Sequence, residues 1–416
     1  MSNVEEQEKF DIDKVTIVND NGESVVVSRT LLIEKGGLLK HFITICPNEG
    51  KFILRLPLPL ELLEEFTRFP EDEKFPIPSV NNLFRMYLFC KQYFMSELEK
   101  RYFYYLIVLL YFNNVCSIYD LACRHNETQL QYRCWKYFSL CNKSIFLTDD
   151  FQSCEETTVY RLLTCPVHKQ LKEVDLFFAL RRWIEKRVLK MKATNDNVWK
   201  RDVIKPFLPL IRFFLIEPEV LKQILNNCLK VQILTVEEIH SITEYIAHKN
   251  VANLPVIISA NVKLRSFSNY FSFMGKYPVT KEILKSDIPM KEHFQFMTDI
   301  WVSEKCFLDD ILLPMALNKC VIKVLVGMKS TYSDDFVYEQ CTCVRMGIIH
   351  LEKGKLLPKN SFHIFSVKIP KRELDSTTIK VLKNARVYVP IYDFRDANTR
   401  SRDEKTKFSC ILSLCF

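Results

Sequence analysis

Cysteine, histidine and clustered basic residues are the side chains of this 416-residue chain that could carry chemistry, and spacing decides what each group can do. Cys341-Thr-Cys343 is the closest cysteine pair in the C-terminal region. A structural zinc site needs a second ligand pair, and none follows. A spacing of two places both thiols on one face of a strand, where free cysteine behaves as a small buried apolar group. His240 and His248 are more than two helical turns apart, too far to share a metal ion, so each reads as a surface or capping residue. Cys134 with His125 could form a nucleophile and base, but no orienting carboxylate or oxyanion hole accompanies them, and Cys134 falls on an apolar stripe. The chain has 8 glycines and no G-x-G-x-x-G, P-loop, G-x-S-x-G or H-E-x-x-H motif. We therefore expect no catalytic residues, no cofactor and no metal. Arg181 to Lys205 holds nine Lys or Arg against three acids, Glu185, Asp196 and Asp202. It reads as a solvated helix face and loop, or more sharply as a docking surface for an acidic partner.

Composition narrows the class. Hydrophobic residues make up 48% of the chain, enough for several buried cores, and the length allows two to four domains. The 58 basic and 50 acidic side chains leave a net charge of +8 spread along the sequence, whereas a nucleic-acid binder concentrates its charge in a stripe. Nucleic acid is not an expected partner. Met1 to Asp13 is acidic and polar, unlike a secretory leader. The longest apolar stretch, Tyr102 to Phe112, is well short of the ~20 residues that a membrane span needs. It reads as a buried helix, and no membrane association is expected. The 15 cysteines, an odd number without paired spacing, sit mostly in apolar runs, as in a reducing compartment. Asn126-Glu-Thr and Asn142-Lys-Ser then read as chance sequons. The expected location is the cytoplasm, with the nucleus as a second site.

The elements that would position these residues change character along the chain. Val15–Val18 and Ser24–Val27 read as strands joined by Asn19-Asp-Asn-Gly22, a hairpin signal. Leu31 to Ile43 has a helical pattern weakened by Gly36-Gly37. Lys51 to Leu56 alternates as a strand, and Leu60 to Phe69 returns to helical spacing. After a charged loop between Pro70 and Pro78, the positions Val80, Leu83, Phe84, Tyr87, Leu88 and Phe94 mark one helical face. Ser117 to about His248 reads as helical throughout, with a polar loop at 193–198. Val174, Phe177, Leu180, Trp183, Ile184 and Val188 form one apolar stripe, and Thr235-Val-Glu-Glu238 forms a capping box. From about Leu254 short alternating runs take over, at 320–326, 341–349, 361–369 and 385–391. Phe408 to Phe416 follows a charged loop at 396–407. This spacing suggests an antiparallel sandwich.

The ordered series in the first segment resembles a BTB domain. It runs from the hairpin through Ser28-Arg29-Thr30-Leu31-Leu32 and Leu38-Leu39-Lys40-His41-Phe42 to Leu56-Pro57. Leu60–Phe66 follows, and then a helix pair with the corner Tyr93-Phe94-Met95 to Leu98. The next region resembles a BACK domain. Ile118–Ala122, Leu130 and Cys134–Phe138 look like its opening helix pair, and Lys172–Phe177 with Leu180 and Trp183 like its central helix. Pro209–Phe213, Leu215-Ile216 and Pro218–Leu221 look like its closing signature. The C-terminal region is not kelch-like, because only Gly275, Gly327, Gly347 and Gly354 follow Leu254. Ile300–Leu308 with Val321–Leu325 is similar to the start of a PHR-type β-sandwich.

The resemblance implies a multi-domain α+β chain with a BTB-like α/β domain at 1–112, an all-helical BACK-like domain at 113–253 and a β-rich, sandwich-like domain at 254–416. It further implies a non-enzymatic adaptor that forms a homodimer. BTB and BACK would dock a cullin ubiquitin-ligase scaffold, and residues 254–416 would hold a protein substrate. A BTB-type transcriptional regulator and a cytoskeletal anchoring protein are the rival readings. Leu31, Leu38, Leu39, Phe42, Ile43, Leu60 and Phe66 are the expected protein-contact residues, with loops at 327–335 and 393–403 as candidate contacts for the substrate. The hydrophobic-x-Glu element that usually accompanies cullin binding is missing from Ile43-Thr-Ile-Cys-Pro-Asn-Glu49 at the expected spacing.

Overall fold

A computed structural model describes residues 14–45, 52–68, 79–140, 143–164, 171–191, 201–230, 233–248, 254–262, 293–302, 306–313, 315–317, 321–330, 335–344, 347–358, 361–370, 373, 379–381 and 411–415. The expected loops at 70–78, 193–198, 393–403 and 396–407 and the run at 385–391 lie outside these residues. The chain forms two compact units, residues 1–121 and 122–416.

The first unit opens with the expected hairpin. β1 (Lys14–Val18) and β2 (Ser24–Ser28) pair antiparallel, and β3 (Phe52–Arg55) joins the other side of β1 in parallel. The Asn19 side-chain oxygen accepts the backbone N–H groups of Asn21 and Glu23, and Gly22 takes the positive φ that closes the turn. Val15, Ile17 and Val27 are buried, as period-two alternation requires. The single helix expected from Leu31 to Ile43 is instead two, α1 (Arg29–Lys35) and α2 (Gly37–Ile45). Gly36 and Gly37 are both left-handed, at φ 77° and 61°, a pair of conformations that ends one helix and redirects the chain into the next. Ser28 Oγ caps α1 by accepting the Leu31 N–H at 3.1 Å.

Three further helices follow among the described residues: α3 (Leu60–Arg68), α4 (Val80–Gln92) and α5 (Ser96–Val108). Leu62, Leu63 and Phe66 of α3 and Leu83, Phe84, Tyr87 and Cys90 of α4 face the core, where Phe66 meets Phe89 edge-on with centroids 5.4 Å apart. The expectation that Tyr102 to Phe112 is a buried helix is corrected. Leu98, Tyr102 and Leu106 line one buried stripe, while Tyr104, Val108 and Tyr111 are 62%, 60% and 56% exposed. A four-residue period buries one side of a helix, whatever the hydropathy of the other.

No strand interrupts the described residues of the helical region. α6 (Val115–Arg124) spans the boundary between the units. The second unit continues with α7 (Thr128–Leu140), a 3-10 turn (Lys143–Leu147), α8 (Asp149–Ser153), α9 (Glu156–Thr164) and α10 (Glu173–Met191). After two 3-10 turns, Leu208–Leu210 and Phe213–Leu215, come α11 (Pro218–Lys230) and α12 (Val236–His248). The capping box forms at the start of α12: Glu238 N–H donates to Thr235 Oγ1 at 3.2 Å, and Thr235 N–H donates to Glu238 Oε2 at 2.8 Å.

Beyond the helices lie β4 (His293–Val302), β5 (Cys306–Leu312), β6 (Met315–Leu317), β7 (Val321–Ser330), β8 (Val337–Val344), β9 (Ile348–Leu357), β10 (Ser361–Pro370), β11 (Ile379–Val381) and β12 (Ile411–Cys415). Seven of them form one antiparallel sheet in the order β12-β5-β9-β8-β7-β10-β4, and β6 pairs with β11. The run expected at 341–349 is two strands. Gly347, at φ 78°, ends the turn between β8 and β9, and its N–H donates to Val344 O at 2.8 Å. A common core joins the helices of this unit to its sheet. Phe307, fully buried on β5, lies against Tyr132 and Trp135 of α7, with centroids 5.4 and 4.9 Å away. Gly354 on β9 admits the Tyr132 ring, which a Cβ there would meet at 2.7 Å.

Candidate functional site

Among the described residues the groups with chemical potential are placed by packing. Cys90, Cys228 and Cys343 are buried, and burial pushes each thiol up to about 12, so none is a thiolate near neutrality. Cys134 is fully buried on α7. Cys341 is half-buried beside buried Cys343, on the same face as the period of two requires. Among the described residues no three His, Cys, Asp or Glu side chains group to hold a metal. His240 pairs with Glu244 one turn on at 3.4 Å, an exposed surface contact.

The structure does bring together one pair that spacing alone did not flag. Ser361 Oγ and His363 Nε2 on β10 lie 2.7 Å apart. The Ser361 hydroxyl donates to Pro358 O, which leaves Nε2 as the donor to Oγ and not the base for it. His363 is buried, desolvation lowers its pKa, and its Nδ1 has no hydrogen-bond partner to orient the ring. Among the described residues no third group completes a nucleophilic triad with the pair. A second histidine, His350 on β9, bonds Asp310 on β5 at 2.9 Å across the strands and is 62% exposed.

In the described part of the basic stretch at 181–205, four basic side chains form ion pairs within the chain. Arg181 pairs with Glu185, Lys186 with Asp149 and Arg187 with Glu156, at 2.9, 2.8 and 2.9 Å. Arg201 forks onto Glu238 at 2.7 and 3.0 Å and also donates to Ile233 O, fastening the entry of α12. These contacts tie part of the described stretch, expected as a solvated helix face and loop, to its neighbours. A shallow cleft of about 300 Å³ lies where α10 meets the first 3-10 turn, lined by Phe146, Leu147, Phe178 and Arg182 among others.

The seven expected contact residues divide by burial. Leu39, Ile43 and Phe66 have 0–2% exposure and serve the core of the first unit. Leu31, Leu38 and Leu60 are half-buried, and Phe42 is 45% exposed. Ile45, 67% exposed, extends the same side of α2. Phe94, expected on the same helical face as Leu83, Phe84 and Tyr87, instead lies beyond the end of that helix, 69% exposed at the corner between α4 and α5. Its φ of 54° is a left-handed conformation that costs a non-glycine residue about 1–2 kcal/mol. That corner abuts the start of α2, where Leu38 N–H donates to Tyr93 O at 2.8 Å. The only signal for it in the sequence was the aromatic-methionine corner. The candidate element at Ile43–Glu49 lies mostly outside the described residues, as do Asn142 and Met1 to Asp13.

The helices of the second unit interlock around two tryptophans. Trp183 of α10 donates its indole N–H to Cys154 O at 2.9 Å and meets Phe207 edge-on at 5.5 Å. Phe177, one helical face along, packs on Phe213 at 5.9 Å, and Glu173 accepts the Arg212 N–H at 3.1 Å. On α7, Trp135 lies under the Arg161 guanidinium, 3.2 Å from the ring centroid. The central helix is thus held by the segment Leu208–Leu215 on one side and by α8 on the other. Residues 115–226 match the family model described as BACK, BTB And C-terminal Kelch. The chain carries a BACK domain. The match takes in the opening pair α6–α7, the central α10 and the closing signature that leads into α11. The BTB-like order of strands and helices lies directly ahead of this match. No curated protein matches the chain. Among the described residues no helix is long and apolar enough to cross a membrane.

Proposed function

We propose that this chain is a non-enzymatic adaptor. Its first unit forms a homodimer, BTB and BACK dock a cullin ubiquitin-ligase scaffold, and the C-terminal strands, closed as a PHR-like sandwich, hold a protein substrate. The observation that carries this reading is the BACK match at 115–226 directly after the BTB-like unit. The burial pattern supports it. Phe42 and Ile45 of α2 and Phe94 of the α4–α5 corner present exposed apolar side chains on that unit. The buried, protonated thiols and the His363 ring held as a donor speak for packing over catalysis.

Two measurements test the reading with the full chain. Sedimentation equilibrium is expected to show a dimer, and a monomer at every concentration removes the basis for the homodimer. Capture by an immobilised cullin N-terminal fragment is expected at about micromolar affinity. A dimer that ignores the fragment at high concentration turns the reading toward a transcriptional regulator or a cytoskeletal anchor.

A further inference from the structure

The outward face of the central sheet strands has a composition and a geometry suited to a ligand. Ile322, Val324 and Val326 of β7 and Phe365 and Val367 of β10 are buried on one side, so the alternate positions form the other. Register sets Tyr338, Gly327 and Ser366 in one row across β8, β7 and β10, and Gln340, Leu325 and Lys368 in the next. Lys323 follows opposite Thr342, both exposed. The Tyr338 ring lies over Gly327, where a Cβ would fall 2.6 Å from it, and its hydroxyl donates to Ser366 Oγ at 3.1 Å. Lys368 Nζ stands 4.1 Å from the ring centroid. Covering a strand glycine with an aromatic ring is itself stabilising. Here it also fixes a tyrosine and a lysine side by side before any ligand arrives, which lowers the entropy cost of binding.

No outward position on β7, β8 or β10 in the described residues is Asp or Glu. Acidic register positions on that side lie on neighbouring strands: Asp299 opposite Ile364 on the edge strand β4, and Asp310 on β5, which is paired with His350. We propose that this face binds an acidic, extended segment of a partner protein, with carboxylates meeting Lys323 and Lys368 and apolar side chains resting on Leu325 and the Tyr338 edge. The proposal rests on the reading that the C-terminal strands hold a substrate, and it names the chemistry of that substrate. A peptide suits the face better than nucleic acid does. Lys368 occupies the ring surface on which a base would stack, and this part of the face has no guanidinium to grip phosphate bidentately.

Fluorescence anisotropy of a labelled poly-glutamate peptide with the full chain tests this. Binding is expected at low salt and should weaken as salt is added. The double variant Lys323→Glu with Lys368→Glu should weaken it by about tenfold or more. Lys222→Glu, an exposed charge reversal on α11, should leave it unchanged. Circular dichroism melts of the variants check that the sheet remains folded. Absence of binding by the wild type, indifference to the double reversal, or displacement of the peptide by an equal concentration of oligo-uridylate would each overturn the proposal. Because the dimer and cullin measurements do not involve this face, its failure is distinct from failure of the adaptor reading.

Discussion

At the scale of single residues, two glycines and one glutamate carry more structure than their neighbours. A Cβ on Gly37 would sit 2.2 Å from Tyr93 O, on a backbone already at φ 61°. Gly37→Ala is expected to cost about 3 kcal/mol or more, since the left-handed penalty is joined by a collision with main chain that cannot rotate away. Gly22→Ala, at φ 81° with open space around it, should cost only about 1–2 kcal/mol in the same urea titration. Near-equal losses would mean that close approach to the Phe94 corner does not hold α2 in place. Glu238 both caps α12 and receives the Arg201 fork. Burial works to raise its pKa, but the hydrogen bonds from Arg201 and from the Thr235 N–H outweigh it and hold the carboxyl below its usual 4.5. Its contribution to stability is therefore complete above pH 4.5 and is lost as the pH falls through the depressed folded value. Glu238→Gln should lower stability by about 2 kcal/mol at neutral pH and flatten the acid limb of the stability curve, as read by melts across the pH range.

Among the elements, α5 separates hydropathy from burial. Its second half, Tyr102–Val108, is apolar all round, yet only the Leu98–Tyr102–Leu106 stripe is buried. Leu106→Ala should cost about 2–5 kcal/mol and Val108→Ser less than about 0.5 kcal/mol, and equal costs would place both faces in a core. The periodicity of α10 was legible because a long helix repeats its signal. Phe177, Leu180, Trp183, Ile184 and Val188 are all buried. The cap at Thr235 was legible because its partners are local. The break at Gly36-Gly37 and the turn at Gly347 were not, since alternation or helical spacing on either side of a turn reads as one run. The paired Ser361 and His363 escaped notice because two residues at period two acquire meaning only from the carbonyl that takes the hydroxyl proton.

For the molecule as a whole, the shared core around Phe307 makes α7 and the sheet one body within 122–416. Phe307→Ala should remove about 3–5 kcal/mol and split the unfolding of that unit, with the tyrosine and tryptophan signals no longer coincident with loss of strand signal by circular dichroism. A single, merely shifted transition would show that Tyr132 and Trp135 are held by the helices alone. A partner bound on the strands would in that case hang from a flexible joint, a poorer arrangement for presenting a substrate at a fixed distance.

Local and repeating signals are what the order of residues determined unaided: the hairpin, the helical middle, its BACK signature, the capping box and the alternating C-terminal runs. Each is encoded by neighbours within a few turns, so it survives without knowledge of the rest of the chain. Tertiary structure alone decided which apolar faces are covered, which lysines are paired, and that Tyr338 crosses Gly327 to reach Ser366. Those outcomes depend on contacts between strands and helices far apart in the sequence, whose energies no single segment contains.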